Sequence, residues 1–239
     1  MEHKMSAGNS LDDRGASHGL RGPAGKPPIK NPIPAAFTLI ELLVVMAIIG
    51  IMAALIVPAF TGILGGSRLS MATENVLGAF ASARQLATAK NREIEVRLLV
   101  FKNPDSPSSS SQIRGIQLAQ VEESGLLKNI EKPRIFPAGI ICGNSAAMSS
   151  LASGTIPPTT ATNGDPSISG VGINYTYYRF RVRPDGSFNL SNLGLPNTVT
   201  NYYLTLYSEN FQPSGNTPPA NFATIQIEPA TGDATLYRP

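Results

Sequence analysis

One segment constrains the fold of this chain more than any other. Residues 37–60 read FTLIELLVVMAIIGIMAALIVPAF, an apolar run in which Glu41 is the only charged residue. As an α-helix the run would extend roughly 36 Å at 1.5 Å per residue. A bilayer's hydrocarbon core is thinner, about 30 Å. The segment is therefore predicted to be a transmembrane helix, and the acid inside it needs an explanation.

The charges around this segment predict its orientation. Arg21, Lys26 and Lys30 precede the run, whereas Arg68 alone lies comparably close behind it. Basic flanks stay in the cytoplasm, so the C-terminal part of the chain is predicted to be exported. Residues 1–36 are polar, rich in Gly and Pro and without apolar periodicity, which is typical of an unstructured leader.

Helical periodicity resumes after a weak point. Pro58, Gly62, Gly65 and Gly66 lower helix propensity. Beyond them, apolar or small residues recur every three or four positions: Leu69, Thr73, Val76, Phe80, Ala83 and Ala87. We therefore predict one long helix from about 38 to 91, whose second half, residues 61–92, is amphipathic and packs on something.

From residue 93 onward the pattern is that of short strands. They are predicted at 94–102, 113–121, 133–141, 173–183, 187–191, 201–208, 222–228 and 234–238. The turn sequences at 183–186 (RPDG) and 230–233 (ATGD) predict two hairpins. The fold class is thus α+β, a long N-terminal hydrophobic helix packed on a mostly antiparallel sheet, with residues 93–239 forming an extracytoplasmic domain.

Ordinary export signals explain residues 1–60 poorly. A secretory signal peptide has a shorter apolar core, although Ala53 and Ala54 imitate its small-residue cleavage site. A plain signal anchor has a suitable length but leaves Glu41 unexplained.

The stretch AAFTLIELLVVMAIIGIMAALIVPAF resembles the N-terminal signal of type IV pilins and of the pseudopilins of type II secretion. The resemblance rests on a small residue before Phe37, the run Thr38-Leu39-Ile40-Glu41, and the apolar helix with Pro58. It implies cleavage between Ala36 and Phe37 by a prepilin peptidase, followed by N-methylation of Phe37. The chain departs from the family at Ala36, where a glycine is usual.

The exported body resembles the family as well. Residues 77–101 and 225–232 are similar to H-type minor pseudopilins and the FimT group, and residues 231–239 to Verru_Chthon cassette pseudopilin-like proteins. The resemblance implies a minor structural subunit of a type II secretion pseudopilus or a type IV pilus, held in the inner membrane with a periplasmic domain and assembled with other subunits. The alternative is a membrane-anchored module whose loops, 142–172 or 209–220, bind DNA or a polysaccharide.

Glu41 has two interpretations that can coexist. Thr38 and Glu41 fit a capping box, in which Thr38 is the N-cap of the helix, and an acid suits the positive end of the helix dipole. In a filament, Glu41 of one subunit is instead expected to meet the α-amine of Phe37 in the next. Pro58, Gly62, Gly65 and Gly66 likewise mark either a site where the helix melts during assembly or the ordinary end of a membrane helix.

One predicted strand places three arginines on a single face. Arg179, Arg181 and Arg183 alternate with apolar residues and share their face with Tyr175 and Tyr177. Such a face is a candidate for phosphate contacts and base stacking in nucleic-acid binding. The more ordinary interpretation is a solvated sheet face whose arginines pair with cross-strand acids.

Catalysis and cofactor binding find little support in the sequence. Both histidines, His3 and His18, precede Phe37, so the processed chain would lack a Ser-His-Asp triad and histidine metal ligands. The acid pairs Glu93/Glu95 and Glu122/Glu123 are interpreted as surface residues, and Cys142 as a free thiol in a loop. We expect a protein without cofactor that is not an enzyme.

Overall fold

The computed structural model describes residues 36–106, 108–153, 156–197, 201–211, 213–215 and 217–239, without the side chains of residues 55–64 and 153. Of the predicted leader 1–36, only Ala36 is among these residues. The chain divides into two compact units, Met1–Ile49 and Gly50–Pro239. The predicted division into leader, membrane segment, amphipathic half-helix and domain stays a prediction.

A single helix, α1, covers Leu39–Lys90, close to the predicted 38–91. It ends because Asn91 adopts a left-handed conformation with φ of 48°, after which the Arg92 N–H donates back to the Ala87 carbonyl. Within the described part of the chain, no helix is both long enough and apolar enough to cross a membrane. The side chains of residues 55–60, the end of the predicted membrane segment, lie outside the described residues.

Among the described residues, eleven strands follow the helix. They are β1 (Ile94–Phe101), β2 (Gln112–Val121), β3 (Leu127–Asn129), β4 (Arg134–Ile135), β5 (Ile140–Cys142), β6 (Thr159–Thr160), β7 (Thr176–Val182), β8 (Phe188–Asn189), β9 (Tyr202–Ser208), β10 (Phe222–Glu228) and β11 (Asp233–Tyr237). Short 3-10 turns lie at Ser150–Ser153 and Ser191–Leu193. The predicted strand at 133–141 is two short strands, β4 and β5, separated by the turn that ends at Gly139.

The strands form one sheet in the order β11-β10-β9-β5-β2-β1-β7-β6, in which β3 and β4 also pair with β2 and β8 with β7. All of these pairings are antiparallel. The two predicted hairpins are present, since β7 pairs β8 across the turn 183–186 and β10 pairs β11 across 230–233. The α+β prediction is therefore confirmed.

The main core lies between the C-terminal half of α1 and one face of the sheet. The predicted apolar stripe of the helix is buried there, from Leu69 to Ala87. Phe80 is 1% exposed, and its ring lies 6.0 Å from that of Phe180 and 5.7 Å from that of Phe188. Aromatic packing of this kind adds to the burial energy and fixes the position of the helix on β7 and β8.

The opposite face of the sheet is also largely covered. Two smaller clusters lie there: one around Leu99, Phe101, Tyr175 and Tyr177, and one around Ile141, Met148 and Tyr207. The covering chain comes from the long segment between β5 and β7. Every residue of β1 is consequently buried on both faces.

Candidate functional site

The N-terminal end of α1 carries the predicted assembly residues. The Glu41 N–H donates to the Thr38 hydroxyl at 3.2 Å, and the Leu42 N–H donates to the Thr38 carbonyl at 3.2 Å. Thr38 thus caps the helix as predicted. Glu41 lies in the first helical turn, and its side chain is exposed. The cap therefore uses the backbone of Glu41 and leaves the carboxylate available to a partner.

The helix that follows presents apolar side chains in every direction. Each large apolar side chain from Phe37 to Met52 is at least 47% exposed, and Phe37 and Leu39 reach 78% and 82%. An apolar surface that surrounds a helix is unstable in water and is normally covered by lipid or by other helices. This segment therefore needs a partner outside the described chain.

The predicted hinge residues lie within continuous helical backbone. The positions of Pro58, Gly62, Gly65 and Gly66 all belong to α1. A Cβ atom added at Gly65 or Gly66 would meet nothing within 4 Å, so tight packing does not require glycine at either position. A role of Pro58, Gly62, Gly65 and Gly66 in weakening the helix stays a prediction.

The arginines of β7 pair with acids on the neighbouring strand region. The Arg181 Nη1 group donates to Glu93 at 2.8 Å, and its Nε lies 3.9 Å from a Glu95 oxygen. Arg179 also reaches Glu95, at 3.9 Å, while Arg183 begins the β7–β8 turn. These contacts agree with cross-strand pairing as the role of Arg179 and Arg181. Nucleic-acid contact by the three arginines stays a prediction.

Two sequence interpretations on this face are wrong. Tyr175 and Tyr177, expected beside the arginines as stacking groups, are only 3% and 4% exposed, because the segment before β7 covers them. Glu95, interpreted as a surface acid, is fully buried. Sequence alone missed both because it did not show that a long loop would return over the second face of the sheet.

Glu95 is the centre of a buried ion cluster. Arg97, 2% exposed, donates from Nε to Glu95 at 2.8 Å and from Nη1 to Asp165 at 2.6 Å. Its guanidinium carbon lies 4.5 Å from the centre of the Tyr177 ring. The cluster joins β1 to the loop that carries Asp165. The charge alternation in β1, where Glu95 and Arg97 flank Val96, was the signal that could have indicated it.

Burial acts against the charged form of Asp165 and is the largest single influence on its pKa. Hydrogen bonds from Thr162 and Arg97, together with the positive charge of Arg97, outweigh it, and the pKa of Asp165 lies below its usual value. On the neighbouring strand β2, Arg114 forms a two-armed ion pair with Glu209, the residue that follows β9. Hydrogen bonding from Arg114 likewise lowers the pKa of Glu209.

Cys142 differs from its predicted setting. It lies in β5 rather than in a loop and is 1% exposed, with its Sγ 3.2 Å from the Ser149 hydroxyl. Burial raises the pKa of the thiol to about 12, which makes it a poor nucleophile at neutral pH. Glu122 and Glu123 are exposed, as predicted. Within the described residues, no group of three or more His, Cys, Asp or Glu side chains is placed to hold a metal ion.

Comparison with known families identifies the N-terminal segment. Residues 34–57 match the prokaryotic N-terminal methylation motif. This match confirms the predicted signal and, with it, the resemblance to the type IV pilin and pseudopilin superfamily at the residues that carry it. No curated protein matches the chain significantly.

Among solved structures, the chain is similar to the type IV minor pilin FimU of Pseudomonas aeruginosa, with 14% identity, 72% of this chain and 93% of that chain covered, and a TM-score of 0.40. It is also similar to the minor pseudopilin EpsH of the type 2 secretion system of Vibrio cholerae. The two share 8% identity over 72% of this chain and 96% of that chain, with a TM-score of 0.36.

Proposed function

We propose that this chain is a minor pilin-like structural subunit of a type II secretion pseudopilus or a type IV pilus. The observation that carries the proposal is the methylation motif at residues 34–57, combined with a capped helix start whose acid is exposed. A prepilin peptidase cleaves between Ala36 and Phe37 on the cytoplasmic side of the inner membrane. Phe37 is then N-methylated, and the domain from residue 93 onward lies in the periplasm.

The exposed apolar helix supplies the surface for storage and assembly. Residues 37–52 expose large apolar side chains on all sides, which suits a helix that rests in lipid and later packs among the helices of other subunits. The subunit acts as a building element rather than as an enzyme. Its partners are the prepilin peptidase, the inner membrane and other pilin or pseudopilin subunits.

Glu41 sets the register between subunits. Cleavage gives Phe37 a free α-amine with an ordinary pKa of about 8, mostly cationic at neutral pH. An unpaired charge in an apolar layer is costly, and pairing with an opposite charge removes most of that cost. The carboxylate of one subunit therefore pairs with the Phe37 amine of the next, because any other register leaves both charges unpaired.

Two variants separate assembly from capping. Glu41→Ala removes the carboxylate but keeps the backbone N–H that Thr38 caps. Thr38→Ala removes the capping hydroxyl and keeps the acid, at a cost of about 1 kcal/mol to the helix start. We expect both proteins to insert and to be cleaved, and only Glu41→Ala to be missing from purified filaments.

N-terminal sequencing and mass spectrometry of membrane and filament fractions measure these outcomes. A wild-type membrane form with an intact leader, or normal filament incorporation of Glu41→Ala, contradicts the proposal.

Ala36→Gly restores the residue usual in the family before the cut. It should be cleaved at least as fast as wild type, and slower cleavage would contradict the assignment of position 36 as the family's glycine position before the cut.

A further inference from the structure

A cavity of about 730 Å³ opens where β1 and β7 separate. The last residue pair between these strands is Val100 with Thr176, and the pairing of β1 with β2 shifts register between Leu99 and Val100. A register shift of this kind bends a strand. Beyond the register shift, Phe101 still pairs with Gln112 of β2, but the residues before Thr176 no longer pair with β1. A space therefore remains between the end of β1 and the segment that precedes β7.

The floor of the cavity is apolar and held in place. Phe101, Ala161 and Tyr175 line it and are 4%, 8% and 3% exposed. The Tyr175 hydroxyl donates to the Pro166 carbonyl at 2.9 Å, and the Ala161 N–H donates to the Tyr175 carbonyl at 3.0 Å. The floor is therefore preformed, and a ligand would lose little free energy in ordering it.

The wall formed by the loop before β7 is also fixed. Ile168 and Gly172 exchange two backbone hydrogen bonds, of 2.9 and 2.7 Å. Gly170 has φ of +76°, and a Cβ added there would lie 3.2 Å from Pro104 across the cavity rim. Val171 and Ile173 project from this loop into the lining. The wall thus offers apolar contact from a turn that glycine allows to close.

Six polar side chains line the rim of the cavity: Lys102, Asn103, Ser111, Thr160, Asn174 and Thr176. The Asn103 amide is already engaged, since it donates to Glu209 at 3.4 Å and accepts from the Asp105 N–H at 3.0 Å. Among the described residues, none of the other five side chains makes a hydrogen bond or an ion pair. Lys102 is the only charged one among the described lining residues. The hydroxyls and the Asn174 amide can each donate and accept, so the rim offers one positive charge and several uncommitted groups of mixed hydrogen-bonding character.

We propose that this cavity binds an acidic sugar, a uronic-acid residue either free or within a polysaccharide. Its carboxylate pairs with the Lys102 ammonium, and its hydroxyls exchange hydrogen bonds with the Ser, Thr and Asn groups of the rim. The apolar C–H face of the ring lies against Val171 and Ile173. A preformed, partly apolar cavity with a few convergent polar groups is the usual form of a small-ligand site.

Two other ligand classes fit less well. A nucleotide would need an exposed aromatic face and more positive charge than one lysine, whereas the two aromatic rings of the floor, Phe101 and Tyr175, are almost fully buried. A peptide carboxyl terminus would match Lys102, but its backbone would leave several of the rim hydroxyls without partners. The proposal is independent of filament assembly, because no residue of α1 lines the cavity.

The test compares the binding of uronic acids with the binding of their uncharged methyl esters. Full-length protein in detergent micelles is titrated calorimetrically with galacturonate, with oligogalacturonate and with the methyl esters of both. For wild type we expect each acid to bind roughly tenfold more tightly than its ester, the usual effect of one charge-assisted hydrogen bond. Tighter binding of the oligomer than of the monomer identifies a polysaccharide as the source, and equal affinity identifies the free sugar acid.

Three variants locate the site. Lys102→Met is expected to lose the preference for the acid while retaining ester binding, because it removes the charge and keeps most of the apolar stem. Asn174→Ala should weaken acid and ester by the same factor. Lys128→Met, an exposed lysine of β3 away from the cavity, is the control and should bind like wild type.

Several results overturn the proposal. One is that wild type shows no binding, or equal affinity for acid and ester. Another is that Lys128→Met loses the preference for the acid as much as Lys102→Met does. A third is that inorganic phosphate or a peptide carboxylate binds wild type more tightly than the uronic acids do. Lys102→Met should still be cleaved and incorporated into filaments. A failure of sugar binding therefore leaves the proposed structural function standing, and a failure of assembly leaves the cavity proposal standing.

Discussion

Replacing Arg97 by Met tests whether the buried ion cluster holds the second face of the sheet together. The change removes the hydrogen bonds to Glu95 and Asp165, of 2.8 and 2.6 Å, and the contact with the Tyr177 ring. Glu95, with no exposed surface, is then left with Arg179 and Arg181 at 3.9 Å. Breaking a buried ion pair by removing one partner typically costs about 3–5 kcal/mol.

We expect the lower end of that range, because the two remaining arginines still offset part of the Glu95 charge. A loss of about 3 kcal/mol corresponds to a roughly 100-fold larger unfolded population. The double variant Glu95→Met/Arg97→Met removes both charges and keeps similar volumes, so its cost should be smaller than the sum of the single changes. Arg179→Met, at a side chain 39% exposed, should cost less than about 1 kcal/mol.

Cys142 provides the assay. It is the only cysteine of the chain and is buried in β5, so thiol-reactive reagents modify it only when the sheet opens. The labelled fraction across a urea series then gives the free energy of unfolding of the sheet. A cost below about 1 kcal/mol for Arg97→Met, or strictly additive costs in the double variant, would refute the argument that the cluster stabilises the fold as a coupled unit.

Three further predictions concern stability. The first two use the same assay, and the third is followed by circular dichroism across an acid titration, because thiol labelling needs the thiolate. Phe80→Ala, in the core against Phe180 and Phe188, should lower the free energy of unfolding by about 3–5 kcal/mol. Leu126→Ala, at an exposed position, should change it little. Equal effects of the two changes would mean that α1 does not pack on β7 and β8. Gly232→Ala should be strongly destabilising, because a Cβ at φ of +72° would lie 2.0 Å from the Gly186 carbonyl oxygen. The control Gly215→Ala, with φ of +60° but open space around it, should lower the free energy of unfolding by only about 1 kcal/mol. Similar losses in the two variants would contradict the contact with Gly186. The pKa values of Asp165 and Glu209 are lowered in the folded protein, so their contribution to stability is present above about pH 4 and is lost as the pH falls through the lowered folded values. Asp165→Asn should show a smaller loss of stability on acidification than wild type, and an unchanged acid profile would exclude Asp165 as a source of it.

Local patterns in the sequence were sufficient for most of the backbone. The apolar stripe from Leu69 to Ala87 predicted the packed half of α1, because a helix that must cover a sheet repeats its apolar residues every three or four positions. Strands such as β1, β9 and β10 were visible as β-branched and aromatic runs between turn residues. The turns at 183–186 and 230–233 followed from residue types that favour tight reversal. These features depend on neighbours close in the chain.

The features that sequence analysis did not predict depend on contacts between residues that are far apart in the chain. Glu95 and Arg97 lie in a strand whose second face is covered by a loop about 70 residues later, where Asp165 completes the cluster. No local pattern indicates that return, so Glu95 was expected at the surface and Tyr177 in solvent. The cavity at Lys102 has the same origin, since it exists only because β1 and β7 stop pairing beyond Val100 and Thr176.

The sequence by itself determined that a capped apolar helix with one acid begins near residue 38, because length, apolarity and the Thr38–Glu41 spacing are local properties. It also determined the order of helix and strands and the methylation motif at residues 34–57. Tertiary structure alone decided which charges are buried and which pair, and where the sheet opens into a cavity. Those outcomes depend on the strand order and on the path of the long loop before β7, because burial and pairing arise between segments that meet only after folding.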